Sequence, residues 1–177
     1  ANRVRASRPQ ILRGGWEWDR LLRRYIDEGR SEAGALEVLH GYFMSILDRY
    51  DEAVRSGKGA EFNLLPGHKA WGAAGRVRIY KELVRQGMLS KIEQAKFRQI
   101  FRQSMALSYD YPNLERSVNN RPYGMNGGPA VALKVFPDMP ELKTHRRWLD
   151  ALWRELTEYG DTTETNYYPY GPLLLQG

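Results

Sequence analysis

Apolar side chains recur along this chain at helical spacing, and nowhere in a sustained alternating pattern. In "WEWDRLLRRYIDEG", residues 16 to 29, Trp18, Leu21, Leu22, Tyr25 and Ile26 share one face, and Gly29 marks the stop. "SEAGALEVLHGYFMSILDRYDEAVRSGKG" predicts a second helix. Ser31 is its expected N-cap, Leu36, Leu39, Tyr42, Phe43, Ile46, Leu47 and Tyr50 form its stripe, and "SGKG" ends it. "HKAWGAAGRVRIYKELVRQGML" predicts a third, with Trp71, Ala74, Val77, Tyr80 and Val84 in phase. "SKIEQAKFRQIFRQSMALSYDY" predicts a fourth, with Ser90 as cap and Glu93 three residues on. "GGPAVALKVFPDMP" reads as a short helix with Pro129 in its first turn and a stop before Pro137. "ELKTHRRWLDALWRELTEYG" reads as a long one turning Leu142, Trp148, Leu149, Leu152, Trp153 and Leu156 inward. The class is all-α.

Breakers and amides collect in the connections "NLLPGHKAW", "SVNNRPYGMNGG" and "GDTTETNYYPYGP". Helices that follow one another in antiparallel pairs build a ring or solenoid of hairpins, whose alternate connections share one face. The closing run "GPLLLQG" reads as the first turn of a further helix. Residues 1–177 are thus expected to be a single all-helical domain, the N-terminal part of a larger ring.

The length of 177 residues suits one domain with a real core. Lys plus Arg outnumber Asp plus Glu by 27 to 21, a net charge of +6 that favours anionic partners. Nucleic acid is not the expected one, because the basic residues are scattered over several helices and no nucleic-acid motif is present. "RLLRR" and "HRR" are short and read as solvated helix faces. The absence of cysteine removes disulfides, thiolate metal sites and thiol nucleophiles. No run of about 18 apolar residues is present, so no membrane span is expected. No EF-hand, P-loop, HExxH or dinucleotide fingerprint occurs, and neither a metal nor a cofactor is expected. The start at Ala1, with no signal peptide in view, suits a processed chain.

From Asn119 to Tyr170 the order of features resembles the toroidal domain of alginate lyases and heparinase II/III-type polysaccharide lyases. In that group an Asn-bearing loop precedes an apolar helix ending in "FP", a Trp-bearing helix follows, and a "DG-x-x-x-E-x-x-x-Y" segment comes next. Here Asn119 and Asn120, Phe136-Pro137, Trp148, and Glu164 with Tyr167, Tyr168 and Tyr170 follow that order. Two positions depart from it. Gly160-Asp161 stands where the family has Asp-Gly, and Arg121 follows Asn120 where alginate lyases often carry His.

The resemblance implies an (α/α) toroid or incomplete toroid of helical hairpins, an acidic polysaccharide as substrate, and a secreted or periplasmic location. The C5 proton of a uronate is hardly acidic while the adjacent carboxylate keeps its charge, so that group must be neutralised in the transition state. Asn120 and Arg121 are the expected neutralisers, with Asn119 or Asn126 able to substitute, since a guanidinium grips a carboxylate through two bonds. Tyr168 is the expected catalytic acid or acid and base together, with Tyr170 and Tyr167 behind it. His68, in the "LPGHKAW" connection, is the candidate base or second neutraliser. Lys69, Trp71, Tyr123, Glu164 and Asn166 complete the expected substrate-binding set.

Two rivals remain at this stage. A glycoside hydrolase would need two carboxylates, which Asp161 and Glu164 supply. A non-catalytic helical module would bind an anionic glycan or nucleic acid through its basic surface. Trp16, Trp18 and Trp71 stand at helical spacing, where Trp is more often core than a sugar platform; of the three, Trp71 alone is also kept in the expected substrate-binding set.

Overall fold

The computed structural model describes residues 15–30, 34–65, 73–108 and 121–159, and among them there are six α-helices and no strand. They are α1 (Gly15–Asp27), α2 (Ala35–Arg55), α3 (Ala73–Arg85), α4 (Lys91–Ser108), α5 (Arg121–Val135) and α6 (Pro140–Tyr159), with a single 3-10 turn at Gly59–Glu61. The all-α class expected from the apolar spacing is observed.

Three of the helices end alike. Arg30, Lys58 and Met88 each donate a backbone N–H to the carbonyl five residues back, while Gly29, Gly57 and Gly87 donate to the carbonyl three back. Those glycines sit at φ of 66, 74 and 70°, the left-handed geometry that closes the last carbonyls of a helix and suits a residue with no Cβ. α4 opens with the expected capping box, in which Glu93 N–H donates to Ser90 Oγ at 3.3 Å and Ser90 N–H donates to Glu93 Oε2 at 2.7 Å. The N-cap of α2 is Gly34, with no side-chain bond, so the expectation of Ser31 is corrected; Ser31 itself lies outside the described residues.

Side-chain pairings give the helix directions. Ala73 meets α5 at Gly128, and the Tyr80 ring lies 5.2 Å from that of Phe136 just past its end, so α3 and α5 run parallel. On the other side of α3, Trp18 stacks on Tyr42 at 4.2 Å, Tyr42 accepts from Arg76, and Arg30 reaches Glu82. That sequence of contacts makes α1 parallel to α3 as well. The four-residue turn 136–139 folds α6 back on α5, and Arg98 and Arg102 of α4 follow Asp138 and Glu141 in the same order. The result is two rows, α1-α3-α5 and α2-α4-α6, pointing in opposite directions.

Between the rows lies an aromatic core. Phe97 touches Phe43 (4.8 Å), Tyr80 (5.0 Å, stacked), Phe101 and Phe136, joining α2, α3, α4 and the end of α5 through one ring. Leu39, Ile46, Leu47, Val77, Leu83, Ile100 and Leu142 are fully buried around it. Trp18 belongs to this core, as its spacing predicts; the Trp16 and Trp71 side chains lie outside the described residues, as do those of Leu152, Trp153 and Leu156.

One element differs from the reading of the sequence. α5 starts at Arg121, not at Pro129, so "RPYGMNGG" is helix and Pro129 is interior to it. The Gly127-Gly128-Pro129 cluster reads as a breaker, yet a Cβ at Gly128 would collide with Ala73 Cβ and come within 3.3 Å of the Ala73 backbone. Here glycine serves close helix approach. The packing it permits outweighs the poor helix propensity of the stretch.

Candidate functional site

The alternation of direction separates two kinds of connection. Turns 28–34, 86–90 and 136–139 join the rows at one end, whereas 56–72 and 109–120 join them at the other. Residues 160–177 follow Tyr159, the terminus of α6 at that second end. Long connections between the helices of a compact domain tend to carry function.

At this end the described part of 56–72 is tied down by side chains. Leu65 N–H donates to Asn63 Oδ1 (2.7 Å) and Leu64 N–H donates to Ser104 Oγ (2.9 Å). Leu64 O accepts from Arg76 Nη1 (3.0 Å) and Leu65 O accepts from the Ser108 hydroxyl (3.1 Å). All four backbone polar groups of Leu64 and Leu65 are therefore satisfied, none of them by a helix or strand ladder. Asn63 Nδ2 also donates to Ser108 Oγ at 2.9 Å, and Gln103 Nε2 bonds the carbonyls of Gly59 (2.8 Å) and Phe62 (2.7 Å). Ser104 and Ser108 stand one helical turn apart, on the side of α4 that holds Phe97, Ile100 and Phe101. This collar was not foreseen. Hydroxyls in phase with an apolar stripe, opposite an Asn-containing connection, were the available signal.

The expected site residues fall into two groups. Arg121, Tyr123 and Asn126 belong to the first two turns of α5, a correction of their reading as loop; their side chains lie outside the described residues. His68, Lys69, Trp71, Asn119, Asn120, Asp161, Glu164, Asn166, Tyr167, Tyr168 and Tyr170 lie outside the described residues altogether. The chain bearing His68 and Trp71 enters α3 at Ala73, the residue that meets Gly128. The chain bearing Asn119 and Asn120 enters α5 at Arg121, and that bearing the tyrosines leaves α6 after Tyr159.

Two buried titratable groups are placed away from these connections. Glu82 is held by Arg85 (2.6 and 2.9 Å), Gln86 (2.9 Å) and Arg30 (3.2 Å), which together keep its carboxyl at about 2 against the opposing effect of burial. Arg30 makes this bond from a left-handed backbone, at φ 65°. His145, on α6, is fully buried with its ring 5.7 Å from that of Trp148, and burial lowers its pKa to about 4. It is a neutral imidazole at ordinary pH. Among the described residues no group of three or more His, Cys, Asp or Glu could hold a metal ion, and no helix is long and apolar enough to cross a membrane.

No protein-family model, curated protein or solved structure matches the chain.

Proposed function

We propose that the chain is an arc of an (α/α) toroid that cleaves a uronic-acid polymer by β-elimination. The observation supporting this reading is the arrangement of the two rows. Every segment that carries an expected site residue joins the described helices at the end of the long connections. Parallel rows of opposite direction are also what a toroid of hairpins requires. Arg121 begins α5, and the N-terminal end of a helix carries partial positive charge, which suits an anionic substrate group.

In the proposed reaction Asn120 and Arg121, supported by Asn119 or Asn126, bond the uronate carboxylate and stabilise the charge that develops on it. His68 or a tyrosine takes the C5 proton. The C–H electron pair forms the C4=C5 double bond, the C4–O4 bond breaks, and Tyr168 protonates the departing O4. Tyr170 and Tyr167 stand next in line for that role. No water is consumed, and the product carries a double bond conjugated to its carboxylate.

That double bond provides the test. Incubation with alginate, glucuronan, hyaluronan and heparan sulfate should raise the ultraviolet absorbance with one of them, and the Arg121→Ala and Tyr168→Phe variants should suppress the rise by about a hundredfold or more. New reducing ends without absorbance would replace this reading by hydrolysis through Asp161 and Glu164. Salt-sensitive polymer binding without either signal would replace it by a binding module.

A further inference from the structure

We propose that Asn63, Ser108 and Arg76 are positioning residues, which hold Leu64 and Leu65 so that the chain continuing into His68, Lys69 and Trp71 departs from one fixed point. The role in turnover rests on the lyase reading; the holding itself does not.

The geometry carries the inference through its economy. A surface connection usually leaves its backbone polar groups to water, yet Leu64 and Leu65 have all four bonded to side chains. Both residues are also buried, at 7 and 0 % exposure, so the apolar side chains and the backbone are fixed together. The ties reach three separate elements. Ser104 and Ser108 belong to α4, Arg76 to α3, and Asn63 spans its own turn while its amide grips Ser108. Arg76 is itself steadied, since its Nε donates to the Tyr42 hydroxyl at 3.2 Å and Tyr42 is stacked on Trp18. A guanidinium can serve Leu64 O and Tyr42 at once; a lysine ammonium on a flexible stem has no such planar fork. The segment therefore has one position relative to α1, α2, α3 and α4, three residues ahead of His68. Misplacement of a catalytic group by about 1 Å can cost on the order of a hundredfold in rate.

The experiment compares Ser108→Ala, Ser108→Thr and Arg76→Lys with the wild-type chain. Each is read by amide hydrogen exchange at Leu64 and Leu65 and by initial rates on whichever of alginate, glucuronan, hyaluronan or heparan sulfate the wild-type chain cleaves. Exchange at Leu65 should quicken about tenfold or more in Ser108→Ala and Arg76→Lys, while Phe97 and Leu142 keep wild-type protection. In the same variants kcat should fall about ten- to a hundredfold with KM within about twofold. Ser108→Thr, which keeps the hydroxyl, should restore both. Unchanged exchange at Leu64 and Leu65 would overturn the holding role. Faster exchange with unchanged kcat, or a rate loss matching only the unfolded fraction, would overturn the positioning role. A wild-type chain that produces no absorbance on any polymer would sink the lyase reading and with it the role in turnover, and exchange would then decide the holding role alone.

Discussion

The two ends of the helical rows are built from different chemistry. At the short-turn end the ties are charged: Glu82 with Arg30 and Arg85, Asp138 with Arg98, Glu141 with Arg102. At the long-connection end the described ties of the connection itself come from amides and hydroxyls, of Asn63, Gln103, Ser104 and Ser108, with Arg76 donating to Leu64 O and the Tyr42 hydroxyl; the Glu52–Arg55 pair of the last α2 turn is exposed and stays within its helix. Two of the three short turns close their own backbone groups through glycine caps, at Gly29 and Gly87, so side chains at that end mainly join helix to helix. A long connection brings backbone N–H and C=O groups that no helix satisfies, and short polar side chains of fixed geometry must meet them. Ion pairs join helix to helix at the first end, and groups of fixed geometry hold the connection at the second.

That comparison can be pressed experimentally, starting with what both ends share. Phe97→Ala removes the ring that joins four elements, and it should cost about 3 to 5 kcal/mol in a denaturant titration and loosen exchange at both ends. Acid should then separate the regions. The folded pKa of Glu82 is depressed, so its contribution is present above about 4.5 and is lost as pH falls toward 2, amounting to about 3 kcal/mol. Glu82→Gln should flatten that part of the stability profile. The folded pKa of His145 is also depressed, but for a base this favours the unfolded chain, which binds the proton first. Stability should therefore decline by about 3 kcal/mol between pH 6.5 and 4, and His145→Phe should remove that decline. At the neutral end, Ser104→Ala should cost about 1 to 2 kcal/mol equally at pH 5 and 8, because it strips Leu64 N–H of its acceptor without touching a titrating group. The smallest effect is expected from Asp138→Asn. Its ion pair with Arg98 is exposed, and the loss should be the smallest of the set and vanish in high salt. A pH-dependent Ser104→Ala would break the comparison.

Much of this architecture was legible in the chain. The apolar stripe of α2, the Ser90–Glu93 box, and the glycines after α1 and α2 are local signals, and local physics fixed them. The start of α5 was not legible, because Gly127, Gly128 and Pro129 carry the same letters whether they turn a chain or admit a neighbouring helix. Only the partner, Ala73, distinguishes the two, and it lies 55 residues away in sequence. The polar collar was hidden for a related reason. Ser104 and Ser108 read as small residues on an apolar face until Asn63 and Leu64 are brought against them. For the site, the chain offered residue types and their grouping in three connections; which end of the rows those connections share is a property of helix direction, carried by no single stretch.

The close approach at Gly128 has a mechanical side. α5 continues for seven residues beyond that crossing to Arg121, on the order of 10 Å of rigid rod. A methyl group inserted at 128 is a wedge at the fulcrum, and whatever angle it forces is multiplied along that arm. The substitution would move the charged tip of the helix farther than it moves the contact itself, so one hydrogen atom in the middle of α5 sets the aim of its end.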